Sequence, residues 1–356
     1  MMKSLVRDFS RVALVGLLYL CSLSGAAEAQ KLAQKPAPTG VRGEEVKFDN
    51  TGVALTGTVL LPKTAAGKRA PAVLLLSSYG QTTRDGFKFE SVEQPVYREL
   101  AEHLAGQGFG VLRYDKRCTG TSGCKPKMVF DDLVDDAREA VAYLRKRPEL
   151  DPAKVFIFGH GEGGFVGSVL GSSDDKLAGL ILAAAPGRTW NKLLRDQFQQ
   201  QMREAGKTEA EIGPFIAKFD RIVRALGPVG GEDLSKGLDP QLPQAAVVLN
   251  LVSRPEFVIP LFINDPLQVA NSVKAPVLIL QGGKDVMVSI KDAQFLNEAL
   301  SRSDHRDTTL QLFPDVDHLL KTNKGPASQA ANSDAARPLD AALLAALTEW
   351  LQKRAQ

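Results

Sequence analysis

Apolar positions along the chain change their period several times, and each change predicts an element. Val46–Phe48 and Val53–Leu61 are apolar and β-branched runs on either side of Asp49-Asn50-Thr51-Gly52, which predicts two strands joined by a tight turn. Ala72–Leu76 is wholly apolar, the pattern of a short strand buried on both faces. Helical and strand-like stretches then alternate. The spacing predicts a helix over Glu90–Gln107, a strand over Gly110–Tyr114 and a helix over Asp131–Arg147. It continues with a strand over Lys154–Phe158, a helix over Gly163–Leu170 and an apolar strand over Leu177–Ala183. The helix at 131–147 has acids in its first turn and bases in its last, the polarity that the helix dipole favours. Alternation of this kind implies α/β architecture, a mostly parallel sheet with helices on both faces.

Residues 187–270 break the alternation. Trp190–Ala205 and Glu209–Leu226 read as long amphipathic helices with Gly206 and Gly227 as stops. A glycine-rich loop, Gly227–Gly231, and an apolar stretch from Ala245 to Phe262 follow. The division expected is a core of 44–186 and 271–356 with a helical cap or lid inserted at 187–270. The alternation resumes with a strand at Val277–Gln281, a helix at Ile290–Leu300 and a strand at Thr308–Phe313. Residues 321–336, rich in small and polar side chains, predict a mobile loop. A last helix is expected over Leu339–Gln352, and the chain shows no internal repeat.

Composition adds little to that picture: 44% hydrophobic and 24% charged residues are ordinary for a globular chain of 356 residues. A net charge of +3 gives no electrostatic footprint for nucleic acid. The first residues change the picture more. Lys3, Arg7 and Arg11 precede an apolar run, Val12–Leu20, and Ala27-Glu28-Ala29 is an A-x-A cleavage site, so residues 1–29 read as a signal peptide. The run is too short for a stable membrane anchor. Bulky Leu20 before Cys21 argues against lipidation there. Residues 30–43, with Pro36 and Pro38, read as a flexible tether. The expectation is an exported protein, periplasmic or secreted. Cys118 and Cys124 then remain, in a short glycine-containing loop. An oxidising compartment favours a disulfide between them, with two free thiols as the alternative. Two cysteines without nearby histidines do not make a metal site, and no metal or organic cofactor is indicated.

The chemistry concentrates at residues 155–164, Val-Phe-Ile-Phe-Gly-His-Gly-Glu-Gly-Gly. A strand runs into a turn with the flanking glycines of G-x-S-x-G, the nucleophile elbow, in which a serine stands at the tip of a strand-to-helix turn. Gly159 and Gly163 hold the flanks, and Gly161 stands where the serine is expected.

With Ser77–Gly86, Leu112–Arg117, Ala185–Arg188, Gln281–Asp285 and Pro314–His318 in this order, the chain resembles the α/β-hydrolase superfamily from about residue 44 onward. Within it, the chain resembles bacterial exported esterases and peptidase-like hydrolases with a Gly-His-Ser-Glu-Gly-Gly elbow. The resemblance implies an α/β-hydrolase fold and a small-molecule ester or acyl ligand. It places the triad's acid at Asp285, its base at His318 and a vacant nucleophile position at Gly161. It places oxyanion donors at the amide of Glu162 and in the Tyr79-Gly80 loop. Glycine has no oxygen, so an acyl-enzyme through residue 161 is impossible.

Ser168, Ser122, Cys118, Cys124 and Glu162 are poor substitutes, because the pattern puts each of them off the tip of the elbow. Asp285 and His318 are either a working base and its orienter or an inherited pair that only steadies a loop. The remaining histidines fit scaffold roles: His160 within the elbow, His103 on a surface-type helix, His305 in a charged loop. Arg84-Asp85, Asp115-Lys116-Arg117, Asp315 and Asp317 read as loop-ordering charges. Three functional readings follow. The first is a binding protein or weak enzyme of esterase ancestry. The second is a hydrolase in which His318 activates water directly. The third is an ordinary serine hydrolase with an altered residue 161. Oligomeric state is not readable from the chain.

Overall fold

The computed structural model describes residues 40–64, 67–80, 82–89, 92–226, 238–239, 241–302, 307–328, 331 and 334–356. The expected signal peptide, most of the tether, the Gly227–Gly231 loop and His305 lie outside them. The chain divides into two units, one of residues 190–263 and one containing residues 40–189 and 264–356.

The larger unit is built on an eight-stranded sheet in the order β1-β2-β6-β3-β7-β8-β9-β10. Strands β1 (Val41–Asn50) and β2 (Val53–Pro62) form the hairpin that the sequence predicts. Its turn places Thr51 and Gly52 at φ 51° and 80°, and the Asp49 side chain accepts the Gly52 amide at 3.0 Å. That is the positive-φ geometry of a tight hairpin turn. β2 runs antiparallel to β6 (Gly110–Tyr114), and the rest of the sheet, β3 (Ala70–Leu76), β7 (Leu150–His160), β8 (Gly179–Ala183), β9 (Val277–Gly282) and β10 (Thr308–Phe313), is parallel. The middle strands are buried on both faces; Val73, Leu74, Phe156, Ile157, Phe158 and Leu180 are wholly inaccessible. Their unbroken apolar runs are what such burial requires.

The helix expected at Glu90–Gln107 begins later than predicted. A small hairpin, β4 (Phe87–Phe89) and β5 (Val92–Gln94), precedes it, and α1 spans Val96–Gly106. Pro95 explains the boundary: the residue before a proline is driven toward extended backbone, whereas proline itself suits a helix start. Helices α2 (Phe130–Lys146) and α3 (Glu162–Ser173) pack against β7. A buried charge pair supports α2: the Arg117 guanidinium donates to both oxygens of Asp136, at 2.8 and 2.5 Å, and Asn50 donates to the same carboxylate at 2.7 Å. Beside Arg117, Cys118 and Cys124 form a disulfide. The larger unit closes with α8 (Pro266–Asn271), α9 (Ile290–Arg302) and α10 (Ala341–Arg354). The start of the loop expected to be mobile is tied down: Lys321 is fully buried and donates to Gln94 Oε1 at 2.8 Å.

The smaller unit holds α4 (Trp190–Glu204), α5 (Glu209–Ala225), α6 (Pro243–Val252) and α7 (Pro255–Ile263). Phe198 of α4 meets Phe215 and Phe219 of α5 edge-on, with centroids 5.7 and 5.2 Å apart. Thr208 and Glu211 cap α5. The apolar stretch after residue 241 is thus broken into helices at Pro243, Pro255 and Pro266, each at a helix start where a missing N–H costs nothing. Among the described residues no single helix is long and apolar enough to cross a membrane, and the α6–α7 pair that is apolar enough when joined bends by 100°.

Candidate active site

The site assembles at the carboxyl ends of β3, β7, β9 and β10, where open α/β sheets gather their functional groups. β7 ends at His160, the chain turns at Gly161, and α3 starts at Glu162. Gly161 has φ 54° and ψ −117°, a conformation that L residues adopt only under strain. Its amide donates to Ala183 O at 3.0 Å, and its carbonyl accepts from Gly164 at 3.0 Å. The flanking glycine Gly163 is required by close approach, since a Cβ there would lie 2.3 Å from Leu76 O. This is the strand–turn–helix context of a nucleophile elbow, with no hydroxyl on residue 161.

The predicted acid and base meet. His318, in the loop after β10, holds its Nδ1 2.9 Å from Asp285 Oδ2, in the loop after β9. A carboxylate only accepts, so Nδ1 is the protonated nitrogen. Asp285 is itself fixed on both oxygens. Oδ1 accepts the amides of Met287 and Val288 at 2.7 and 2.9 Å, and Oδ2 also accepts Gln281 Nε2 at 3.2 Å. Burial pushes the His318 pKa down. The Asp285 carboxylate, by charge and hydrogen bond, and Asp317 outweigh it and hold the pKa above the ordinary histidine value.

A buried chain of hydrogen bonds, missed by sequence reasoning, joins the parts. His160 Nε2 lies 2.8 Å from the His318 carbonyl, which only accepts, so Nε2 carries the proton. His160 Nδ1 is then the acceptor for Tyr97 Oη at 2.8 Å, and Tyr97 Oη accepts the Ser78 amide at 2.7 Å. Burial first, and then the neighbouring His318, push the His160 pKa well down, so this imidazole stays neutral. The two imidazoles lie against each other with centroids 4.7 Å apart and planes inclined by 35°. The spacing of Tyr97 and His160 along the chain holds no signal that would have paired them.

The expected oxyanion donors are placed as follows. Tyr79 and Gly80 continue the loop after β3, with Gly80 at φ 96°. Glu162 opens α3, whose first-turn N–H groups point out along the helix axis. The Glu162 carboxylate meets Lys116 Nζ at 3.4 Å, and Lys116 donates to Ser78 O at 2.7 Å. The dismissed substitutes are otherwise engaged: Ser168 Oγ donates to Gly164 O, Ser122 Oγ to Asp115 O, and the cysteines are bonded to each other. The charges read as loop-ordering act so. Asp85 binds Arg113 at 2.8 Å, Asp115 accepts the Arg84 and Thr121 amides, and Asp317 accepts those of Leu319 and Lys321. His103 bonds Thr348 Oγ1 at 2.9 Å.

Fold and site together define the class: the chain belongs to the α/β-hydrolase superfamily. The family model described as serine aminopeptidase, S33, matches residues 93–218, and that of the dienelactone hydrolase family matches residues 255–353. Esterase EstD of Thermotoga maritima is 25% identical over 282 residues, which make up 78% of this chain and 60% of that esterase. The chain therefore spans less than two thirds of EstD. Among solved structures, hypothetical protein PA2218 of Pseudomonas aeruginosa superposes with a TM-score of 0.57 at 15% identity, covering 91% of this chain and 98% of that one. The α/β hydrolase GrgF of a Penicillium species does so with a TM-score of 0.55 at 16% identity, covering 88% and 99%. At such identities these structures support the fold alone.

Proposed function

We propose that this protein is an exported hydrolase of small carboxylic esters or related acyl compounds, in which His318, oriented by Asp285, is the general base. The observation that carries the reading is the His318–Asp285 bond of 2.9 Å, with both carboxylate oxygens anchored. A loop-steadying pair needs no such control of one imidazole tautomer, whereas a base does, because its Nε2 must be left to face a nucleophile. Esterase EstD, among the relatives, points to the same substrate class. The amides of Glu162 and of the Tyr79-Gly80 loop are the proposed oxyanion donors. The covalent route through residue 161 is closed, so the attacking oxygen belongs to water or to another side chain. Export rests on the N-terminal pattern of residues 1–29, and the Cys118–Cys124 disulfide agrees with it.

The second reading, a binding protein without turnover, is favoured by Gly161 itself. The two separate on p-nitrophenyl acetate and butyrate. Hydrolysis by the purified protein, lost in His318→Ala, supports the hydrolase. Hydrolysis that His318→Ala leaves unchanged, or none at all, overturns it.

A further inference from the structure

Resting on the hydrolase reading, we propose that the Ser78 hydroxyl is the nucleophile, in the place that residue 161 leaves empty. The register of the sheet brings the two positions together. β3 and β7 are parallel neighbours with Leu76 paired to Gly159, so residues 78 and 161 each stand two positions beyond that pair and level with one another. A Cβ placed on Gly161 would lie 2.2 Å from Ser78 Oγ, 3.1 Å from Ser78 Cβ and 3.6 Å from Ser78 Cα. Outside Gly161's own stretch of chain, the three heavy atoms nearest to that point all belong to Ser78, and 2.2 Å is closer than any non-bonded contact. The hydroxyl therefore occupies the space into which a side chain at 161 would grow.

Ser78 is also held in place. Its amide donates to Tyr97 Oη at 2.7 Å and its carbonyl accepts from Lys116 Nζ at 2.7 Å, so a buried tyrosine and a half-buried lysine hold the peptide groups on either side of its Cα. Through Tyr97 and His160 the grip continues to the carbonyl of His318, which refers hydroxyl and base to one frame. Helix α3 begins one residue after Gly161, so the positive end of its dipole lies beside the same spot, where an oxyanion would develop. Ser77, the neighbouring hydroxyl, instead accepts from Thr82 Oγ1 at 2.9 Å.

The reaction balances without a co-reactant beyond water. Ser78 Oγ bonds to the acyl carbon and its proton passes to His318 Nε2. The carbonyl re-forms, the ester C–O bond breaks, and the leaving alkoxide takes that proton. Water, giving a proton to His318, then attacks the acyl-Ser78 ester; the acid departs and Ser78 Oγ recovers the proton.

The test uses the whole purified protein with p-nitrophenyl acetate and a fluorophosphonate probe. The expected result is a p-nitrophenol burst near one equivalent and a probe adduct on the peptide that contains Ser78. Ser78→Ala should abolish both, lower kcat/KM by about 10²-fold or more, and leave the thermal midpoint unmoved. Ser78→Cys should keep a burst, since a thiolate also accepts an acyl group. An adduct on Ser77 or elsewhere overturns the proposal. So does turnover that His318→Ala removes but Ser78→Ala preserves, which leaves the hydrolase reading standing with water as nucleophile. Absence of both labelling and turnover overturns the two together.

Discussion

Returning a serine to residue 161 perturbs the site in a way that the structure makes quantitative. At φ 54° and ψ −117°, any Cβ on Gly161 carries backbone strain, of order 1–3 kcal/mol. The same Cβ would overlap Ser78 Oγ at 2.2 Å, so the Ser78 side chain must turn away, at about 0.5–1.5 kcal/mol if it leaves its rotamer. Gly161→Ser alone should therefore cost roughly 1.5–4.5 kcal/mol. In a Ser78→Ala background the 2.2 Å overlap is gone, and the backbone strain and a tight 3.1 Å contact with the Cβ of residue 78 remain, so Gly161→Ser should cost about 1 kcal/mol less there. Urea unfolding of the wild type, both single variants and the double variant closes this cycle. If the two costs add to within about 0.5 kcal/mol, the side chains do not compete for one space and the reasoning fails. Activity gives an independent readout. The double variant moves the hydroxyl back to the elbow, beside the same base and donors. Where Ser78→Ala alone is left with roughly 10³–10⁴-fold catalysis over water, the double variant should rise toward ~10⁶-fold. A well-folded but inert double variant would show that Asp285, His318 and the donor amides are not a competent set.

Further outcomes follow from the charges. His318 must be neutral to act as base, and its pKa is raised, so kcat/KM should climb with pH through an apparent pKa above 6.5, which Asp285→Asn should lower. For stability the sign reverses: the His318–Asp285 contribution is fully present below the unfolded value of about 6.5 and is lost as pH rises through the folded pKa. Arg117→Ala leaves the buried Asp136 carboxyl without its guanidinium partner, and should cost about 3–5 kcal/mol in urea unfolding. Replacing both Cys118 and Cys124 by serine releases a loop with a sequence separation of 6, and should cost roughly 2 kcal/mol, with no further effect of reductant.

How much of this was legible depended on distance along the chain. β6 stands within the bounds that its apolar run predicts, because a strand buried on both faces writes its whole length in side chains. Asp285 and His318 were readable because each lies a few residues past a strand that the sequence predicts, β9 and β10. The start of α1 was misread because Val92–Gln94 pairs with Phe87–Phe89, a contact that outweighs the helical spacing of Glu90 onward. Ser78 was not considered as a nucleophile because its meeting with Gly161 is a consequence of strand register, which hydrophobic spacing does not specify between strands that are not adjacent in sequence. Tyr97 and His160 position the base by bonds between residues 63 and 158 positions apart in the chain, and polar residues carry no periodicity that would announce such bonds.

The bond from His160 Nε2 to the carbonyl of His318 has a consequence for motion. Loops at the ends of strands usually open at low cost, independently of the sheet beneath them. This one is fastened by its backbone to the last residue of a central strand, and Asp317 braces its turn from within by accepting the amides of Leu319 and Lys321. The segment that carries the base can swing out only if the interior bond to β7 breaks. Its amide protons should therefore exchange with solvent at rates closer to those of the sheet than to those of a surface loop.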